Sequence, residues 1–125
     1  MAWCFEDEAS LRTDAVLNQA EHLVFVVPAL WRWEVANVLR MAERRARVTP
    51  QQTSAILLRL SRLNIVLDDA SALVPQDQLV ALARQHSLTV YDTAYLELAM
   101  RLQLPLATFD QPLETAAKTA GIEVL

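Results

Sequence analysis

One glycine, one cysteine and no long apolar run in 125 residues set the first limits on this chain. A phosphate-cradling loop needs several glycines, so P-loop and dinucleotide chemistry are excluded. Cys4 has no second sulfur to pair with and no companion at metal-ligand spacing, and it reads as a small buried apolar side chain. Three tryptophans, two tyrosines, three phenylalanines and five prolines are too few for an all-β fold, whereas the abundance of Ala and Leu favours helices. No segment reaches the ~18 apolar residues that a membrane span requires. Met1-Ala2-Trp3-Cys4-Phe5 leads straight into Glu6-Asp7-Glu8 without a basic stretch or a cleavage site, so a cytoplasmic protein with no membrane contact is expected. No Ser/His/Asp arrangement or zinc spacing is present, and His22 and His86 lie at element ends with no nucleophile beside them.

What is there suffices for one compact domain over residues 1–125, since 54% of the chain is hydrophobic. The net charge of −4 argues weakly against a polyanionic partner, but its distribution is uneven. Seven arginines (Arg32, Arg40, Arg44, Arg45, Arg47, Arg59, Arg62) stand against Glu34 and Glu43 between positions 32 and 62, a local balance of +5. This is either a basic lobe or two solvated helix faces.

Apolar spacing predicts a helix from Ala9 to Glu21, and Leu23-Val24-Phe25-Val26-Val27, stopped by Pro28, reads as a strand buried on both faces. A helix is expected from Trp33 to Arg45, and a second through Leu63, with Thr49 as N-cap and Pro50 in its first turn. Ile65-Val66-Leu67 predicts another strand, followed by helices at Gln76–His86 and Asp92–Leu102. A strand over Leu104–Phe109, a short helix from Leu113 to Thr119 and a last strand at Ile122–Leu125 complete the pattern. Alternating strands and helices imply an α/β fold, a three-layer sandwich in which a parallel sheet is flanked by helices. Trp31 and Trp33, beside a strand, are expected to pack in a core or an interface, with a contact to a second copy or another protein next, ahead of stacking on bases.

Ligands of open parallel sheets bind beyond the carboxyl ends of the strands. Glu34 follows the first strand near a helix start, Asp92 opens a helix and Asp110 closes a strand, so all three acids belong to that rim. Each alone has an ordinary explanation, a helix-dipole contact, an N-cap or a turn. Together they would repel one another unless a hard cation such as Mg²⁺ or Mn²⁺ joined them.

Three segments carry a family resemblance. Pro28-Ala29-Leu30-Trp31-Arg32-Trp33-Glu34-Val35-Ala36-Asn37-Val38-Leu39 resembles the P-x-L-x-x-E-[VI]-x-N-x-L element of PIN-domain proteins, in particular their VapC-type toxins. Leu88 to Ala99, containing Tyr91-Asp92-Thr93-Ala94-Tyr95-Leu96, resembles the family's Y-D-A-x-Y-L-x-L-A helix start, and Pro105 to Asp110 its P-L-x-T-x-D strand end. The resemblance implies a PIN-like fold and an endoribonuclease using Mg²⁺ or Mn²⁺, with Glu34, Asp92 and Asp110 as catalytic metal ligands. It implies Thr108 as a supporting hydroxyl, and Asn37, one turn after Glu34, is either a hydrogen-bonding neighbour of the site or a solvent-facing side chain. Its implied partners are RNA, a second copy in a homodimer, and a small VapB-like antitoxin lying between the 33–47 and 49–63 helices. Arg32, Arg40 and Arg44 would meet either the RNA or the antitoxin.

The chain departs from the pattern at its start. The family's first strand and its Asp, central in the family's sheet, are absent, and Trp3 to Glu8 matches what normally follows them. An N-terminally truncated domain is therefore expected, through a misplaced start codon, a shortened gene or a shortened polypeptide. Weakened metal affinity and low nuclease activity would follow. The other reading is an inactive PIN module kept as a binding or assembly domain.

Overall fold

The computed structural model describes residues 23–125, so the helix expected over Ala9–Glu21, together with Trp3, Cys4 and the acids at positions 6–8, lies outside the described residues. The described chain is a helix-rich α/β fold. In order it forms β1 (Val24–Pro28), α1 (Trp31–Arg44), α2 (Pro50–Ser61), β2 (Asn64–Asp68), a 3-10 helix (Asp69–Leu73), α3 (Gln76–His86), α4 (Val90–Leu102) and α5 (Gln111–Thr119). β1 and β2 pair in parallel, and one isolated parallel bridge joins Leu106 to Val124. No helix among the described residues is long and apolar enough to cross a membrane.

The strands expected at 104–109 and 122–125 shrink to that bridge. Leu106 donates its N–H to Glu123 O at 2.8 Å and accepts the N–H of Leu125 at 2.9 Å. The ladder cannot grow backwards, because Pro105 has no N–H and that of Leu104 closes α4 on Ala99 O at 3.0 Å. It cannot grow forwards to Asp110, whose N–H is taken by Thr108 Oγ1. β1 also differs from expectation: Val24 is 59% exposed and only Val27 and Pro28 are buried. Among the described residues β1 has β2 as its single partner.

The chain divides into two compact units whose boundary falls within both strands, residues 23–26 with Leu30–Val66 and Val27–Ala29 with Leu67–Leu125. In the first, Val35 and Leu39 of α1 pack with Leu60 of α2, and Trp31, Ile56 and Leu63 border them. The i, i+4 spacing on each helix places these residues on one face, which is how the sequence pattern becomes a helical hairpin. Thr49 caps α2 as expected: its Oγ1 accepts the Gln52 N–H at 3.1 Å while Gln52 Oε1 accepts the Thr49 N–H at 2.8 Å. All seven arginines of the basic stretch are exposed.

The second unit has the larger core. Leu96 and Ala99 of α4 meet Leu113, Ala116 and Ala117 of α5, closed by Leu106 and Ile122, with Leu82 of α3 at the margin. Behind the strand ends, Ser71 Oγ accepts the N–H of Ala29 at 3.0 Å and donates to Asp68 O at 2.7 Å.

The scarcity of glycine has a conformational consequence. Ala46 (φ 56°), Ser87 (φ 54°) and Gln103 (φ 53°) take the left-handed conformation that ends α1, α3 and α4, where glycine is the usual residue. Only α5 is followed by one, Gly121 at φ 76°. Each non-glycine residue there is strained by roughly 1 kcal/mol. Ala46→Gly is expected to raise stability by about 0.5–1 kcal/mol, and Gly121→Ala to lower it by a similar amount, read as opposite shifts of the urea midpoint at constant slope.

Candidate active site

The N-terminus of α4 is set by two threonines. Thr89 Oγ1 accepts the backbone N–H of Asp92 at 3.1 Å, and the fully buried Thr93 donates its hydroxyl to Thr89 O at 2.8 Å. The cap of α4 is therefore Thr89, and Asp92 sits half-buried in the first turn, where a negative charge suits the helix dipole. At α5 the cap is Asp110 itself. Its carboxylate accepts the N–H of Leu113 at 3.0 Å, and its own N–H goes to Thr108 Oγ1 at 3.1 Å. Leu113 is part of the core that also holds Leu96 of α4, so one packed cluster supports the beginnings of both helices.

Asp92 feels the charge of Asp110. Partial burial pushes the Asp92 carboxyl above its ordinary value, the nearby charge of Asp110 pushes it further, and a hydrogen bond with Thr89 offsets part of the rise. Neither acid forms an ion pair with a cationic side chain of the described residues. Asp68, another acid at the carboxyl end of a strand, has the opposite environment. Arg101 grips it through Nη2 and also holds Glu97, Nε to Oε1 at 2.7 Å and Nη2 to Oε2 at 3.2 Å. Those carboxylates, Glu97 foremost, keep the guanidinium charged beyond even its ordinary range.

The remaining candidates lie in the first unit. Glu34 is half-buried in the first turn of α1, and Asn37 is exposed one turn later. Arg32, Arg40 and Arg44 are exposed along the same helix, Arg40 at 3.6 Å from Glu43. Among the described residues no three His, Cys, Asp or Glu side chains are gathered as a metal site, so the geometry brings together the pair Asp92 and Asp110. Core packing holds for Trp31, but Trp33 is 81% exposed, which overturns the core expectation for it.

Comparison with known proteins decides the family. The PIN domain pattern matches residues 1–119. The chain belongs to the PIN-domain family. This PIN-domain protein is also similar to Ribonuclease VapC3 of Pyrobaculum aerophilum, 32% identical over 107 residues that cover 86% of this chain and 80% of the relative. The resemblance read from the three motifs is thus borne out, as a PIN-domain protein of the VapC type. PIN nucleases generally use divalent metal ions, and the donor chemistry fits one: a half-buried Asp92 carboxyl raised by burial and then by the nearby charge of Asp110, with no ion-paired cationic side chain among the described residues.

Two parts of this site went unread in the sequence. Thr89 carried a signal, because Thr89-Val90-Tyr91-Asp92 before an apolar run is a capping pattern. The Arg101 clamp carried half of one: Glu97 and Arg101 are a visible i, i+4 pair, whereas Asp68 is 33 positions away and meets them only through the fold.

Two outcomes are expected. Asp110→Asn retains a capping oxygen but removes a charge, so the Asp92 carboxyl should titrate closer to its ordinary value, as followed by NMR of the side-chain carboxyl in metal-free buffer. In the parent protein, Asp92's contribution to stability falls as pH rises from its ordinary value through its raised one, because the folded chain holds that proton more tightly; Asp110→Asn narrows this window. Arg101→Ala leaves Asp68 and Glu97 facing each other without a cation. It should cost about 1–2 kcal/mol in chemical denaturation, more than the loss of an exposed pair.

Proposed function

We propose that this PIN-domain protein is a divalent-metal-dependent endoribonuclease. In this reading it is the toxin of a toxin–antitoxin pair, acting in the cytoplasm as a homodimer and neutralised by a small VapB-like antitoxin. The observation that carries the proposal is the half-buried Asp92 carboxyl, raised first by its burial and then by the nearby charge of Asp110, a pair suited to Mg²⁺ or Mn²⁺. Asp92 and Asp110 take the ligand role on this geometry, and Glu34 takes it on its sequence motif. When bound, the cation supplies positive charge to offset that developing on a phosphodiester in hydrolysis.

The chain's own residues do the rest. Thr89 and Thr93 fix the turn that presents Asp92, so the carboxylate is oriented before any ligand arrives. Thr108 holds the backbone of Asp110, whose second carboxylate oxygen remains outside the capping bond to Leu113. Arg32, Arg40 and Arg44 meet RNA phosphates or the acidic groups of the antitoxin, and Asn37 stands exposed among them. The ribonuclease name of the relative supports the substrate class.

Cleavage of a fluorogenic RNA in Mn²⁺ tests the reading. Loss of a supporting partner of a metal ligand costs about 10–100-fold, so loss of a ligand in Asp92→Asn should cost about 100-fold or more, and EDTA should abolish turnover. Turnover untouched by either change would sink the assignment. RNA binding without turnover in the parent chain would instead identify a binding module that has lost catalysis.

A further inference from the structure

Trp33 is the least explained large side chain in the first unit. Its neighbour Trp31 packs against Val35, Leu39 and Leu60, so the hairpin core is closed without a second indole. Trp33 is left 81% exposed. Helical geometry says what it shares a face with. Trp33, Asn37, Arg40 and Arg44 follow at i, i+4, i+7 and i+11, one stripe of α1, and all four are exposed. The buried Val35, Leu39 and Ala42 occupy the opposite side. The stripe therefore cannot be a core face turned outward by chance; the helix has an apolar side already in use.

We propose that Trp33 is a base-stacking platform for single-stranded RNA, with Arg40 and Arg44 tracking the phosphates along the same stripe. The proposal rests on the ribonuclease reading and deepens it by naming the form of RNA that is held. The charge around the indole favours this occupant: positions 32–62 carry seven exposed arginines against two acids in a chain of net charge −4. Such a surface attracts a polyanion, and an aromatic face among backbone-tracking cations is the arrangement that captures unpaired bases. Arg40 is only weakly engaged within the protein, 3.6 Å from Glu43 with 65% of its side chain exposed, so it remains available to a phosphate. Paired bases hide their faces in the stack, and the platform therefore discriminates single strands from duplexes. Trp33 also directly precedes Glu34, so a base stacked there lies at the start of the helix that carries this acid.

The test is fluorescence anisotropy in EDTA with a labelled, short, mixed-sequence single-stranded RNA and with the same strand in a duplex. Trp33→Ala should weaken binding to the single strand by about 5- to 150-fold, change duplex binding by less than about twofold, and leave thermal unfolding unaltered because the indole is exposed. Trp33→Phe should keep most of the affinity. The double substitution Arg40→Ala with Arg44→Ala should lower the salt slope on the single strand by roughly 1.4. If Trp33→Ala binds as the parent does while the arginine variant is weakened, the platform is refuted and the ribonuclease reading survives. Equal losses on single strand and duplex would also refute stacking. Unchanged RNA affinity together with altered self-association of Trp33→Ala in sedimentation would assign the indole to a protein contact and overturn the proposal. A parent chain that binds neither RNA would refute the ribonuclease reading, and the platform with it.

Discussion

Side-chain capping of helix N-termini is the constraint on which the candidate site depends. The backbone N–H groups of the first helical turn need acceptors, and here they find Thr49, Thr89 and Asp110. At α4 and α5 this local requirement has a second effect. Capping by Thr89 brings Asp92 into the first turn, and capping by Asp110 holds that acid at the next helix start, so satisfying backbone donors also sets two negative charges near each other. The core of Leu96, Ala99, Leu113 and Ala117 makes that proximity permanent, because α4 and α5 are packed against it.

Electrostatics then separates acids that look alike. Asp68, Asp92 and Asp110 all lie where strands end or helices begin. Asp68 is matched by Arg101 and contributes to holding α4, whereas the charge of Asp92 is made costlier by partial burial and by Asp110, with no ion-paired cation among the described residues. The first arrangement stabilises the fold and the second stores an unfavourable interaction that a bound cation would relieve. A carboxyl raised by partial burial and a like charge is the opposite of what a structural ion pair provides, and it is the ground on which a ligand role is proposed for this pair.

Much of the fold was legible in the residues. The N-cap at Thr49, the extent of α3 and the strands β1 and β2 appear where pattern and turn chemistry place them. Strand length was less legible, since Leu104–Phe109 looks apolar and extended, but the Leu104 N–H closes α4, Pro105 has none, and only Leu106 bridges to Val124. Burial was also misjudged wherever it depended on a neighbour. Val24 sits in a strand-like run yet is exposed, and Trp33 differs from Trp31 by two positions and by the side of the helix it occupies.

The sequence by itself determined the family, through three motifs carrying Glu34, Asp92 and Asp110, because their spacing and residue types are local properties of the chain. It likewise determined the concentration of arginine and the lack of glycine, and with it the strained helix ends at Ala46, Ser87 and Gln103. Only the tertiary structure decided which acid is satisfied and which is not. That outcome turns on Arg101 reaching an aspartate 33 positions away and on α4 and α5 sharing a core, contacts set by packing over distances that no sequence period encodes.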